Sequence, residues 1–303
     1  MPDRFEPSDW ERLLPRIREG KCTPFLGAGA CDGSLPLAKD IAQEWAGEYV
    51  YPLAADRDDL ARVAQFLAVT RDPMFPKEQL LRRFQREDCR SPDFSEPDEP
   101  HAVLADLPLP VYLTTNYDGF MVEALRSRHK DPQREYCRWN SFVRQEPSVF
   151  EREEPFEPTV ANPVVYHLHG HDGVQESLVL TEDDYIDFLV NVWRSQAAVL
   201  PGTARGVLPN RIWRALAGTS LLFIGYRLSD WTFRVLFRGI VGAMERTIGR
   251  GSVAVQLRRE NADEQRYLDR YYNRLEVKVY WGTAREFAAE LSNRWRTFNE
   301  SES

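Results

Sequence analysis

Four short stretches of this 303-residue sequence carry residue types that can do chemistry. In the first, Phe25-Leu26-Gly27-Ala28-Gly29-Ala30, two glycines stand one residue apart behind an apolar run. Without Cβ atoms the backbone there can approach a phosphate, and the amide end of the following helix favours an anion. A tight strand-to-helix turn would use the same glycines, so the pair leaves both readings open. The second stretch, Thr115-Asn116-Tyr117-Asp118, offers an amide and a carboxylate at the end of another apolar run. Both could point into one cleft, or Thr115 or Asn116 could simply cap the next helix. The third, His167-Leu168-His169-Gly170-His171-Asp172, would set three imidazoles on one face if a strand continued that far. Such a face suits a metal with a nearby carboxylate, or one catalytic histidine among ordinary neighbours. The fourth, Phe223-Ile224-Gly225-Tyr226-Arg227-Leu228-Ser229-Asp230-Trp231, ends an apolar run in glycine and then offers Ser229 or Asp230 as a helix cap.

The surrounding pattern says what must position them. An amphipathic helix is expected over 8–20, capped by Ser8 and stopped by Gly20, then a strand Thr23–Leu26 and a helix from Leu37 to about Val50. Helical spacing over 58–90 is followed by an exposed Pro/acid-rich loop at 91–100. The strand Val111–Thr114 leads to a helix Phe120–Arg128, and 130–162 reads as irregular with one strand. Val164–Leu168 is the next strand, with a hairpin strand at Ser177–Leu180 and helices over 182–200 and 208–217. The strand Leu221–Gly225, helix 230–247, strand 252–257, helix 262–273, strand 276–280 and helix 284–297 complete the series. This alternation predicts an α/β fold, a parallel sheet with helices on both faces, formed by one domain over 1–303 with a helical insertion at 55–105. Ligands of such sheets bind beyond the carboxyl ends of the strands, where all four stretches fall.

Composition narrows the classes. Lys and Arg number 39 against 47 Asp and Glu, a formal charge of −8, which gives no support to nucleic-acid binding. Arg82, Arg83 and Arg86 read as a solvated helix face. The start MPDRFEPSDW lacks the basic and apolar regions of an export signal, and no apolar run approaches the roughly 20 residues of a spanning helix. Cys22, Cys31, Cys89 and Cys137 form no C-x-x-C pair, so a reducing cytoplasm without a structural zinc is the expectation.

Taken in order, FLGAGA at 25–30, LTTNYD at 113–118, VYHLHG at 165–170 and FIGYRLSDW at 223–231 resemble the sirtuin-like family, above all its zinc-free prokaryotic branch. SLVLTEDDY at 177–185 and VYWGTAREF at 279–287 extend the resemblance over about residues 22–290. It implies an NAD-binding, Rossmann-like domain with a smaller, partly helical module. By position, Gly27, Ala28 and Gly29 would cradle the NAD pyrophosphate. Thr115, Asn116 and Asp118 would lie in the turn beside the nicotinamide ribose, with Asn116 and Asp118 catalytic. His169 would match the catalytic histidine, Gly225 and Leu228 would close over the adenosine side, and Gly282 and Thr283 would lie near the adenine. Two departures stand out: Cys31 where the family commonly has serine, and Gly225-Tyr226-Arg227 where it commonly has G-T-S or G-x-S. The roles of Cys31, His167 and His171 stay open. With no paired C-x-x-C module, protein deacylation is the weaker reading.

The resemblance then implies an NAD hydrolase that releases nicotinamide and ADP-ribose without a metal, serving as an antiphage effector that depletes NAD when triggered. The switch would be homo-oligomerisation or a partner such as a HerA-type ATPase, an Argonaute-like protein or a phage component. A non-catalytic NAD or ADP-ribose sensor, an NAD-dependent deacylase and a zinc hydrolase built on the histidines are the alternatives.

Overall fold

The computed structural model describes residues 5–197, 207–226, 251–275 and 277–301. Its centre is one sheet of β1 (Cys22–Leu26), β2 (Val111–Thr114), β3 (Gln133–Tyr136), β4 (Val164–His167), β5 (Ser220–Ile224), β6 (Val253–Gln256) and β7 (Lys278–Trp281). The spatial order is β3-β4-β2-β1-β5-β6-β7 and every pairing is parallel. The central strands β1, reading CTPFL, and β5, reading SLLFI, are buried at every position. Runs without a polar face suit a parallel sheet covered on both sides.

The two-residue period of the strands divides the core. Leu222 and Ile224 pack on one face with Trp10 and Ile17 of α1 (Pro7–Arg18), Leu104 of α5 (Pro100–Ala105), Leu125 of α6 (Phe120–Ser127) and Phe287 of α10 (Ala284–Glu300). Leu221 and Phe223 pack on the other with Phe188 of α7 (Glu182–Ala197), Ile212 of α8 (Asn210–Gly218) and Tyr272 of α9 (Ala262–Arg274). The fold is the expected Rossmann-like α/β arrangement. A third cluster joins α2 (Ala38–Glu48), α3 (Leu60–Thr70) and α4 (Phe75–Phe84) through Trp45, Leu67 and Leu80, with Leu178 and Leu180 against them. An ion pair of 3.0 Å between the buried Lys77 and the half-buried Asp184 ties α4 to α7.

Three local expectations differ. Glu6, not Ser8, caps α1, because the helix starts at Pro7, where a missing N–H costs nothing. Ser177–Leu180 is no strand: the Asp184 carboxylate takes the amides of Leu180 and Thr181 at 3.0 Å, leaving Val179 N on His169 O as a lone link. The strand bearing the histidines ends at His167, and Gly170 at φ +80° turns the chain, so the three imidazoles do not share one face: His167 and His171 stay in ring contact, centroids 5.4 Å apart, while His169 packs on Tyr185 and Phe188. The helix expected at 230–247, the motif beyond Tyr226 and Leu228 lie outside the described residues.

Candidate functional site

From β1 the chain steps to β2 on one side of the sheet, and β5 later joins β1 from the other, which makes the carboxyl ends of β1 and β5 the topological switch point. Two loops meet there. Gly27 N donates to Ile224 O and Gly29 N to Gly225 O, both at 2.9 Å. A Cβ on Gly27 would stand 2.7 Å from Gly225 O, and one on Gly225, at φ +71°, only 2.1 Å from Ala30 N. The glycines therefore serve a backbone-to-backbone seam, on which Ala28 is exposed.

The turn after β2 leans on this seam. Asn116 Nδ2 donates to Gly27 O at 3.1 Å and to Cys31 Sγ at 3.2 Å. A backbone carbonyl only accepts, so the nitrogen end of the amide faces the seam and Oδ1 faces away from it. Asn116 N is itself held by Thr114 Oγ1 at 2.9 Å, and Thr115 N by Leu26 O at 3.1 Å. Asp118 is buried and turned inward: Oδ1 takes Phe120 N at the start of α6 at 3.0 Å, and Oδ2 takes the Cys31 thiol at 3.3 Å. Helix-start capping thus falls to Asp118 rather than to Thr115 or Asn116.

Behind Cys31 stand two more buried groups. His101 Nε2 is 4.0 Å from Cys31 Sγ, and His101 Nδ1 is 2.7 Å from Glu99 Oε1. Burial opposes ionisation of Glu99, yet hydrogen bonds from His101 and the Ala102 amide hold its carboxyl below the usual range. Burial, and then the Asp118 carboxylate, push the Cys31 thiol well above the ordinary cysteine range, so the sulfur carries its proton. Donor atoms of Cys31, His101 and Asp118 lie within 4.8 Å of one another, a set that could hold a metal ion. Ligation would displace the thiol proton, because a bound cation deprotonates a coordinating thiol.

The opposite side of the turn is held by β3 and β4. His167 Nδ1 is 2.9 Å from Asn116 O, while Arg134 Nε donates to His167 Nε2 at 3.2 Å and Arg134 Nη2 to Tyr117 O at 3.0 Å. An arginine only donates, so Nε2 is bare and Nδ1–H points at Asn116 O. Burial and the Arg134 charge keep this ring neutral, well below the usual histidine range. Asp172 pairs with Arg134 at 2.8 Å.

His169 lies just past β4, buried edge-to-face against Tyr185 and Phe188 of α7, with centroids 5.3 and 5.2 Å away. Burial brings its pKa down to about 3. Tyr117 Oη donates to Val179 O at 2.6 Å and Val179 N to His169 O at 2.9 Å, which couples the histidine segment to the Asn116 turn. Gly170 is required between them, since a Cβ there would stand 2.2 Å from Ser177 O.

The structure thus gathers Gly27, Gly29, Gly225, Asn116 and Asp118 at the switch point. Gly282 and Thr283 sit on the same edge but at the end of β7, three strands from β1, where Thr283 and Glu286 cap α10 reciprocally. Sequence reasoning missed Glu99, His101 and Arg134. The first two close an acid- and proline-rich run that reads as loop, and Arg134 lies in a segment without periodicity.

A SIR2-like domain family model matches residues 110–276. The chain belongs to the SIR2-like family. Among curated proteins it is similar to the NAD(+) hydrolase ThsA of Enterococcus faecium, 27% identical over 135 residues, which is 45% of this chain and 23% of that one. This SIR2-like chain therefore matches less than a quarter of its relative's length. A solved structure described as the structural basis for the mechanism and regulation of Sir2 enzymes aligns over 97% of this chain and 99% of its own, at 11% identity and a TM-score of 0.46. Among the described residues no helix is long and apolar enough to cross a membrane.

Proposed function

We propose that the protein is an NAD hydrolase that splits the nicotinamide–ribose bond. The observation that carries this reading is the held amide of Asn116, whose Oδ1 is turned away from the seam at the switch point of a SIR2-like domain. In the reaction the C1′–N1 bond breaks, its electron pair neutralises the pyridinium nitrogen, and the ribose passes through an oxocarbenium-like state. Water adds at C1′ and loses a proton, giving nicotinamide and ADP-ribose.

Asn116 Oδ1 would accept a hydrogen bond from a ribose hydroxyl or the attacking water and fix its approach. Neutral His169 would accept a second, from the hydroxyl or water that gives up the proton. Asp118 acts from beneath, through Cys31 and the start of α6. Gly27, Ala28 and Gly29 with Thr115 would face the pyrophosphate and ribose, and Gly225, Leu228, Gly282 and Thr283 the adenosine side. The reading assigns no step to a metal. α3 and α4 would form a helical insertion over 55–105 within a single SIR2-like domain spanning 1–303. In the cell the activity would be cytoplasmic and would deplete NAD on phage infection, released by homo-oligomerisation or by a partner such as a HerA-type ATPase.

The test is nicotinamide release from NAD by chelator-treated protein across a concentration series. Release in the absence of any acyl peptide, lowered at least about a hundredfold in both Asn116→Ala and His169→Ala, is expected. NAD binding without release under all conditions, a candidate activator included, would favour a sensor, and no binding would sink the reading.

A further inference from the structure

We propose that Cys31 is a positioning residue of the site: its thiol fixes the polarity of the Asn116 amide and joins it to Asp118, with His101 and Glu99 as the buried support behind it. This rests on the NAD-cleaving reading and adds to it a residue whose role the family pattern leaves undefined, because serine is common at its position.

The argument is a count of protons and lone pairs. Asn116 Nδ2 has two hydrogens, one on Gly27 O at 3.1 Å and the other on Cys31 Sγ at 3.2 Å. Asp118 Oδ2, 3.3 Å from the sulfur, accepts the thiol proton. One sulfur therefore accepts from the amide and donates to the carboxylate, and both amide hydrogens are spent inside the protein. Only Oδ1 is left for substrate, as an acceptor. Asp118 in turn uses its other oxygen on Phe120 N, so the start of α6, the thiol and the amide form one chain of hydrogen bonds. His101, oriented by Glu99 at 2.7 Å, closes the far side of the sulfur at 4.0 Å. Cys31 is 3% exposed and never reaches substrate, so it acts through Asn116.

With alanine at 31, one amide hydrogen and Asp118 Oδ2 lose their partner, and the amide keeps only Gly27 O. Its torsion is then loosely held, and a loosely held group costs turnover more than binding. Serine keeps one donor and one acceptor at the same place.

The test is a double-mutant cycle with steady-state kinetics, each variant first checked by thermal melting. Cys31→Ala is expected to lower kcat about tenfold or more with KM for NAD little changed, Cys31→Ser to restore most of it, and Cys31→Ala to have no further effect in an Asn116→Ala background. Additive effects in the cycle, or wild-type kcat in Cys31→Ala, would overturn the proposal. A second measurement needs neither turnover nor a folded alanine variant: nitrogen-15 NMR of the Asn116 side-chain amide in the wild-type chain. Two protected protons are expected, and free exchange refutes the geometry. Failure of the wild-type chain to release nicotinamide while those protons are protected would count against the hydrolase reading alone. Cobalt(II) titration giving a thiolate-to-metal charge-transfer band, lost in Cys31→Ser, would also overturn the proposal, since the sulfur would then be an ionised ligand.

Discussion

Mild acid should destabilise this protein, and the loss can be worked from two rings. Burial lowers the pKa of His169 and of His171 to about 3, with Arg134 and Arg138 adding to the effect at His171. In the unfolded chain each takes its proton near pH 6.5. Between those values the unfolded state binds more protons than the folded one, so stability is full above pH 6.5 and falls as pH drops toward 3. By pH 5 each ring costs about 2 kcal/mol and the pair about 4 kcal/mol, against a typical total of roughly 5–15 kcal/mol. His167, lowered in the same direction, adds to the loss. Ordinary carboxylates titrate mostly below this window, so the slope there belongs to the histidines. Urea unfolding followed by tryptophan fluorescence at steps between about pH 7.5 and 5 gives the stability directly. His171→Gln should remove about 1.4 kcal/mol per pH unit of the slope, whatever it does to the absolute value. A midpoint that stays constant across the window, or a slope unchanged in the variant, would refute the reasoning that these rings are buried neutral.

Gly225→Ala should destabilise the fold by about 2 kcal/mol or more in thermal melts, because it combines a positive φ with a methyl 2.1 Å from Ala30 N. Asp184→Ala should cost about 3–5 kcal/mol, since it strands the buried Lys77 ammonium and frees the amides of Leu180 and Thr181. Arg134→Ala should lower kcat for nicotinamide release with little change in KM, because His167 and Tyr117 O lose the donor that steadies the Asn116 turn. With His169 at about 3, kcat/KM should show no histidine limb between about pH 6 and 8, in a rate profile measured on protein shown to stay folded.

What was legible in the sequence follows from what shaped it. The central strands stood out because burial on both faces leaves unbroken apolar runs such as SLLFI, and Val111–Thr114 has the bounds expected. The glycines were visible, but not that their missing Cβ atoms bring loop to loop, since Gly225 lies 196 residues along the chain from Gly29. Ser177–Leu180 misled because an apolar, strand-like run had its amides claimed by the side chain of Asp184, a competition that periodicity does not register. Glu99, His101 and Arg134 were invisible for a similar reason: each gains meaning only from a partner in another element.

That dispersal bears on how such a site can be switched. The Asn116 turn is bonded to the loop after β1, to β2, to β3 and to β4: its amide donates to Gly27 O and Cys31 Sγ and its backbone nitrogen to Thr114 Oγ1, while its two carbonyls accept from Arg134 and His167. At a net value of about 1 kcal/mol apiece, rebuilding the turn would cost several kcal/mol. A trigger that instead changed access to the switch point would break none of these bonds. If the proposed hydrolase is regulated by a partner or a second copy of the chain, the expected point of control is therefore access of NAD rather than the Asn116 turn, and the hydrogen bonds of that turn should be the same with and without the regulator.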